Sequence, residues 1–361
     1  MRIELLTPLH IGTGVEVPDF EYQWEEREKY LRRLSLVSLL SSDETLQRDP
    51  SHLTSAEALQ KYLEEKKALW KAHTLYTLTG DGRFLDQERR TRRSIVVREC
   101  LKVPLTQLPL LPGSSLKGAM LTAWFFAEGW EKVQRTAPSK LLDINGIDFD
   151  GELPNFFCNS LKGGTNPEWG LLGGGNPDKL SDRLHLPDFI LPGELRIYAV
   201  ERKMRRSLPA QWIEGVAPQA IGEAQVRFDE RGDSLRTVEN LCRRSNQFAK
   251  CLIVAEQQFF DYCVSRQYLK ERPSAYAEGG LLESCLETLK GANGSFIARI
   301  GWASNKNATS LTLLNSSADL RKQPGMRDAR RRPKSRWMLR NGTPLGWCLV
   351  TFEERDHVKD R

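Results

Sequence analysis

Apolar residues occur in stretches whose internal spacing predicts a mixture of helices and strands. The longest helical spacing covers residues 235–269, and its apolar stripe consists of Leu241, Phe248, Leu252, Phe259 and Tyr262. A second, shorter helix is predicted at 276–290. Strand-like patterns occupy the N-terminus, 95–103, 191–230, 295–302 and 337–353.

Two regions interrupt this alternation of strands and helices. Residues 25–40 and 55–78 have helical spacing and together predict a helical insertion over residues 21–93. Residues 136–190 contain repeated glycines and predict an irregular segment. A loop of that length inside a domain is usually either functional or disordered.

Residues 110–118 combine the end of a strand with the start of a helix. Pro112 and Gly113 end the strand, and the side-chain hydroxyl of Ser114 or Ser115 is a natural helix cap. The apolar residues that follow recur at helical spacing.

Lys117 lies in the first turn of this predicted helix. Backbone N–H groups, the helix dipole and a lysine at one place favour a bound phosphate. The alternative is a capped, buried helix with a solvated lysine. The order of residues excludes a Walker loop, because Lys117 precedes Gly118 instead of following it.

The chain opens with a short strand that is broken at Pro8 and followed by His10, Gly12, Thr13 and Gly14. These residues predict a glycine-flanked turn, in which the absence of side chains lets the backbone approach a ligand closely. Two glycines alone are a weak signal, since the third glycine of a dinucleotide-binding motif is missing.

Together, P-L-H-I-G-T-G at 8–14 and P-G-S-S-L-K-G at 112–118 resemble the RAMP superfamily of CRISPR proteins. Residues 297–302 look like the family's late strand and glycine turn, and 344–350 look like its closing strand. This set most resembles the subunit that caps the backbone of the type III-A (Csm) effector complex near the crRNA 3′ end. The chain departs from the family pattern at 302–304, where Trp-Ala-Ser replaces a more glycine-rich turn.

Positive charge is concentrated near the C-terminus. The net charge is only +6, yet residues 321–340 contain nine Lys or Arg and one acid. Because Pro333 prevents a continuous helix, this stretch predicts an extended basic loop that precedes Trp337. Such a loop suits a phosphate backbone, and the alternative is a solvated linker.

Composition narrows the class of protein and its expected location. The chain is 40% hydrophobic and 28% charged, as in soluble globular proteins. No apolar run approaches the length needed to cross a bilayer, and Glu4 stands where a signal peptide would need an apolar core. The odd number of widely scattered cysteines fits a reducing environment, so a cytoplasmic location is expected. The seven cysteines form no C-x-x-C and the five histidines no H-x-x-x-H, so neither a metal nor another cofactor is expected.

The resemblance implies an α+β fold: a ferredoxin-like or RRM-like core (the RAMP fold) with a helical insertion and long glycine-rich loops. The core would comprise residues 1–20 and 94–361, with 191–361 as a candidate second, partial RRM-like unit; 21–93 would be the insertion. The function implied is a non-catalytic crRNA-binding subunit that caps the backbone and supports crRNA maturation in antiviral defence. Its partners would be crRNA, target RNA, neighbouring RAMP subunits and host nucleases for trimming, with no membrane.

The residues expected to contact RNA are His10, Gly12, Thr13, Gly14, Gly113, Ser114, Ser115, Lys117, Gly118, Arg330, Arg331, Arg332, Lys334 and Arg336. No catalytic residue is expected. The main alternative is a RAMP-type, metal-independent endoribonuclease that processes the CRISPR transcript, with His10 as the base for the ribose 2′-hydroxyl. A third hypothesis is target-RNA cleavage by a loop aspartate, for which the candidates are Asp19, Asp143, Asp148 and Asp150.

Overall fold

The computed structural model of the chain describes residues 1–89, 95–136, 184–203, 210–228, 234–290, 294–304 and 336–353. Its strands are β1 (Arg2–Leu5), β2 (Gly12–Pro18), β3 (Tyr22–Glu25), β4 (Tyr30–Leu34), β5 (Thr74–Gly80), β6 (Val96–Cys100), β7 (Leu110–Leu111), β8 (Leu184–His185), β9 (Phe189–Ile190), β10 (Leu195–Lys203), β11 (Gln211–Val216), β12 (Ile221–Glu223), β13 (Arg227–Phe228), β14 (Ser295–Arg299), β15 (Arg336–Leu339) and β16 (Trp347–Thr351). Its α-helices are α1 (Leu36–Ser42), α2 (Glu44–Arg48), α3 (Ala56–Glu65), α4 (Lys67–Ala72), α5 (Gly82–Arg89), α6 (Gly113–Thr136), α7 (Ser234–Ser265) and α8 (Leu281–Thr288).

A four-stranded antiparallel sheet in the order β12–β1–β16–β14 contains both ends of the described chain. In β1, Ile3 and Leu5 are buried while Arg2 and Glu4 stay partly exposed, which is the two-residue alternation of a sheet with one face on the core. Helix α7 packs against β14 and also against α6. This sheet and its helices confirm the predicted α+β class.

A second, larger sheet has the order β2–β6–β11–β10–β5–β4–β3, and β15 adds to β10. The pairs β6–β11 and β5–β10 are parallel, and the others are antiparallel. A backbone bridge between Leu9 and Val216 connects the segment after β1 to β11. One hydrophobic cluster, which includes Ile3, Trp212 and Phe296, therefore spans both sheets.

The predicted long helix is confirmed as α7. The apolar stripe is buried at Leu241, Phe248, Leu252 and Phe259, as a helical period requires. The phenyl rings of Phe126 in α6 and Phe248 lie 4.9 Å apart between centroids, so the two helices pack through aromatic contacts.

The predicted helical insertion, residues 21–93, is not purely helical. It contains α1 to α5, but β3, β4 and β5 belong to the larger sheet. The misleading residue is Arg33, which occupies a buried strand position because its guanidinium is paired with Glu21. A charge at a core position hides the two-residue alternation, so this stretch reads as a helix.

Candidate nucleic-acid interface

Three loops from distant parts of the sequence converge beside the larger sheet. The backbone N–H of Gly346 donates to the carbonyl of Pro8 at 2.8 Å, and that of Ile300 donates to Gly346 at 2.8 Å. The N–H of Trp302 donates to the carbonyl of His10 at 2.9 Å. The opening, late and closing motif segments therefore form one site.

Two glycines make this convergence possible through backbone packing. Gly301 and Gly346 have φ angles of +82° and +85°, a region that other residues rarely adopt. A Cβ at Gly346 would overlap the carbonyl oxygen of Ile300, and one at Gly301 would overlap that of His10. These glycines are needed to join the loops.

The predicted turn at Gly12–Gly14 is instead the start of β2, an edge strand. Its pairing with β6 shifts register between Gly12 and Glu16, which marks an irregularity such as a β-bulge. Gly14 has φ +86°, and a Cβ there would meet no atom within 4 Å. The backbone at Gly12, Thr13 and Gly14 is therefore exposed along an open sheet edge.

His10 lies beneath this edge and is only 1% exposed. Its Nδ1 is 2.6 Å from the carbonyl oxygen of Glu214, and since a carbonyl only accepts, Nδ1 must carry the proton. Its ring meets Trp302 edge-on at 5.8 Å. Burial lowers the pKa of His10 to about 4. The hydrogen bond to the Glu214 carbonyl and the negative charge of the Glu214 carboxylate raise this pKa, but by less than burial lowers it. The neutral imidazole thus orients the loop.

The Glu214 carboxylate connects strands of the larger sheet from a fully buried position, while the Glu214 backbone carbonyl holds His10. The carboxylate accepts hydrogen bonds from the hydroxyls of Tyr22 (2.8 Å) and Tyr76 (2.7 Å), from the N–H of Cys100 (3.0 Å) and from Lys102 Nζ (2.6 Å). Burial and this carboxylate raise the pKa of both tyrosines, which keeps them protonated as donors.

The P-G-S-S-L-K-G segment begins α6 at Gly113, so the predicted cap at Ser114 or Ser115 is wrong. The N–H of Gly113 instead donates to Asp188 Oδ1 at 2.9 Å. A Cβ at Gly113 would overlap the Leu186 carbonyl oxygen, which shows close backbone packing. The chain's own carboxylate therefore occupies part of the predicted phosphate site.

The other polar positions of this segment remain accessible. Ser114 and Gly118 are exposed, and Lys117 is half-buried. A chain of backbone hydrogen bonds connects the segment to the opening loop: the N–H of Leu101 donates to Ile11 at 2.7 Å, and that of Leu110 donates to Leu101 at 3.0 Å.

Arg336 is not a surface ligand. It is 1% exposed, and its Nε lies 2.8 and 2.6 Å from the two carboxylate oxygens of Glu256. Its guanidinium lies 4.0 Å from the centre of the Phe259 ring. Strand alternation in β15 points Arg336 inward and Trp337 outward, so its predicted role is corrected. Arg330, Arg331, Arg332 and Lys334 lie outside the described residues.

Sequence reasoning missed one surface feature, which we call the arginine–tryptophan strip: Arg98, Trp302, Trp337 and Arg202. The guanidinium of Arg98 lies 5.1 Å from the Trp302 ring centre, and that of Arg202 lies 6.0 Å from the Trp337 ring centre. The two indoles are 5.4 Å apart at an interplanar angle of 38°. Each of the four side chains is partly exposed. Only the tertiary structure brings these four side chains together. The position of Trp337 beside a basic stretch was the one indication of this surface in the sequence.

Within the described ranges, no group of three or more His, Cys, Asp or Glu side chains could hold a metal ion. Cys100, Cys242, Cys263 and Cys348 are buried, as expected for small apolar residues. Burial raises the pKa of Cys100 to about 11 and that of Cys348 to about 12, which disfavours a reactive thiolate. In the part of the chain that is described, no helix has the length and apolar character to cross a membrane.

Comparison with known proteins gives one family match and two similar solved structures. The RAMP superfamily model matches residues 2–144. A chain of the "Csm-crRNA-target RNA ternary complex in type III-A CRISPR-Cas system", solved by cryo-EM, is 20% identical, with a TM-score of 0.56 over 97% of this chain and 99% of that one. The crystal structure of T.onnurineus Csm5 is 19% identical, with a TM-score of 0.48 over 97% and 100%. No curated protein matches the sequence significantly. The predicted RAMP fold is thereby confirmed.

Proposed function

We propose that this chain, whose residues 2–144 match the RAMP superfamily model, is a RAMP protein and a non-catalytic crRNA-binding subunit of a type III-A effector ribonucleoprotein. The observation that carries the proposal is the assembly of the three motif loops at one edge of the larger sheet. There the backbone at Gly12–Gly14 is exposed, and the open space at Gly14 allows an RNA strand to approach it closely.

The charge distribution supports RNA as the ligand. Lys117 lies one turn into α6, and Leu110, just before that helix, is connected to the opening loop by the backbone hydrogen bonds through Leu101. The sequence between residues 305 and 335 adds eight Lys or Arg against two Asp. Cations at such positions bind phosphates and release counterions.

The position within the complex is also part of the proposal. We assign the chain to the cap of the backbone at the crRNA 3′ end, where it contacts neighbouring RAMP subunits and comes close to target RNA. The motif order supports this assignment, and the similar chain with a TM-score of 0.56 comes from a complex that contains crRNA and target RNA. Host nucleases that trim the crRNA would then act beside this subunit.

The burial of His10 favours binding over RNA cleavage. A general base must lie within hydrogen-bonding reach of the 2′-hydroxyl, whereas His10 is 1% exposed and its Nδ1 is engaged by Glu214. His10→Asn tests this directly, since the Asn side-chain amide can still donate to that carbonyl but lacks the basic nitrogen. The variant complex should contain mature crRNA. A correctly folded variant that accumulates uncut precursor would favour the endoribonuclease alternative.

Lys117→Ala tests the binding site itself. In the complex purified with its companion subunits, the variant should hold crRNA more weakly, and the slope of log affinity against log salt should fall by about 0.7. Lys61→Ala is a matched control, because Lys61 is an exposed helical lysine on α3. Equal affinity and slope in the Lys117 variant and the wild type would refute the role of Lys117.

A further inference from the structure

The arginine–tryptophan strip has the construction of a rigid contact surface. The indoles of Trp302 and Trp337 pack on a buried apolar cluster that includes Val200, Ile213 and Leu345. Packing from below fixes the rings, so a ligand would bind them with little loss of side-chain freedom. Their partial exposure leaves part of each indole accessible from outside.

The two arginines extend this surface with positive charge. Arg98 and Arg202 lie against opposite members of the indole pair. An arginine beside an aromatic ring presents a planar guanidinium that can also bind a phosphate. Arg98 also lies 3.5 Å from Glu16, but both side chains are substantially exposed. Such a pair contributes little, so a phosphate can replace this carboxylate.

Basic residues are frequent in the sequence between Trp302 and Trp337. Residues 305–335 contain the eight Lys or Arg and two Asp noted above. Arginine and aromatic side chains on one surface, as in the strip, are the combination that binds single-stranded nucleic acid.

The two partly exposed indoles favour an unpaired form of RNA. Aromatic side chains bind single strands because unpaired bases can stack on them, whereas the bases of a duplex are stacked on one another. The strip therefore fits a strand whose bases are unpaired.

We propose that the arginine–tryptophan strip binds an unpaired segment of RNA on the outer face of the larger sheet. This inference rests on the proposed function and adds an RNA contact beyond the Gly12–Gly14 edge and Lys117. The indoles contact bases without selecting a sequence, and the two guanidiniums contact phosphates.

The test compares the double variant Trp302→Leu/Trp337→Leu with Trp124→Leu in the complex assembled from its companion subunits and labelled guide RNA. Leucine keeps the apolar packing but removes the aromatic surface. Trp124 is the matched control, because it is a partly exposed tryptophan with the Arg244 guanidinium 3.9 Å from its ring centre, on the α6–α7 pair. The strip variant should bind labelled single-stranded guide RNA at least about tenfold more weakly, and the control should match the wild type.

Three outcomes would overturn the inference in distinguishable ways. If the wild-type complex retains guide RNA and the strip variant binds it equally well, the strip is not an RNA contact, while the proposed function stands. If the substitutions weaken the binding of a pre-annealed RNA duplex as much as that of the single strand, the surface recognises duplex RNA. If the wild-type complex retains no RNA, the proposed function fails, and the strip inference fails with it.

A second pair of variants applies if the leucine variants do not fold, as judged by thermal unfolding. Arg98→Gln and Arg202→Gln change partly exposed side chains and leave both indoles in place. Each should lower the slope of log affinity against log salt by about 0.7, the value for one phosphate contact on a single strand. Unchanged slopes for both would overturn the inference.

Discussion

Glu256→Gln is expected to lower the free energy of unfolding by roughly 3 kcal/mol, because the Glu256 carboxylate pairs with both Arg299 and Arg336 in the core. All three side chains are 1% exposed. Breaking a buried pair typically costs about 3–5 kcal/mol, since the remaining charge stays desolvated. The low end applies because the glutamine carbonyl can still accept one hydrogen bond, and because Arg299 keeps its bonds to the carbonyls of Leu345 (3.2 Å) and Ala303 (3.1 Å).

Urea unfolding of Glu256→Gln and Asp261→Asn provides the measurement. Asp261 is also on α7 and forms a two-bond pair with Arg272 at 2.7 and 2.6 Å, but Asp261 is half exposed. Because exposed pairs contribute about 0.2–1 kcal/mol, the control should lose less than about 1 kcal/mol. The midpoint should fall for Glu256→Gln at an unchanged denaturant slope. Equal losses in the two variants would show that burial of the triad is not what makes Glu256 important.

Three further predictions concern single residues. The free energy of unfolding should fall by roughly 3 kcal/mol from pH 7 to pH 4, because the unfolded state binds a proton at His10 near pH 6.5 and the folded state only near pH 4. His10→Asn should flatten this part of the pH profile, measured by urea unfolding. An unchanged profile would contradict the assignment of this pH dependence to His10. Tyr198→Phe should raise the unfolding free energy by about 1 kcal/mol, because the buried Tyr198 hydroxyl has no hydrogen-bond partner among the described residues; a lower melting temperature would contradict this. Gly346→Ala should destabilise the protein much more than Gly14→Ala, since both have φ near +85° but only the alanine at 346 would overlap Ile300; equal melting temperatures for the two variants would show that backbone strain alone decides.

The local patterns predict the fold where burial follows hydrophobicity. The stripe from Leu241 to Phe259 predicts α7 correctly, because every stripe position meets the core. The alternation in β4 fails as a signal because Arg33 is buried against Glu21. A pairing partner 12 residues away decides this element, and a pattern of hydrophobic residues does not contain that information.

The site is predictable as a set of segments but not as a surface. The motif segments identify His10, Gly346 and the start of α6, whereas their hydrogen bonds depend on the fold. The Asp188 cap comes from a residue 75 positions away. Trp337 lies opposite Arg202 because of the register in which β15 pairs with β10. No local spacing in the sequence determines that register.

The most direct test of an RNA-binding role is to purify the tagged chain with the subunits encoded beside it and to sequence the RNA that copurifies. We expect short RNAs that share a repeat-derived 5′ end, together with intact companion subunits. Copurification of neither RNA nor partner subunits would contradict the account.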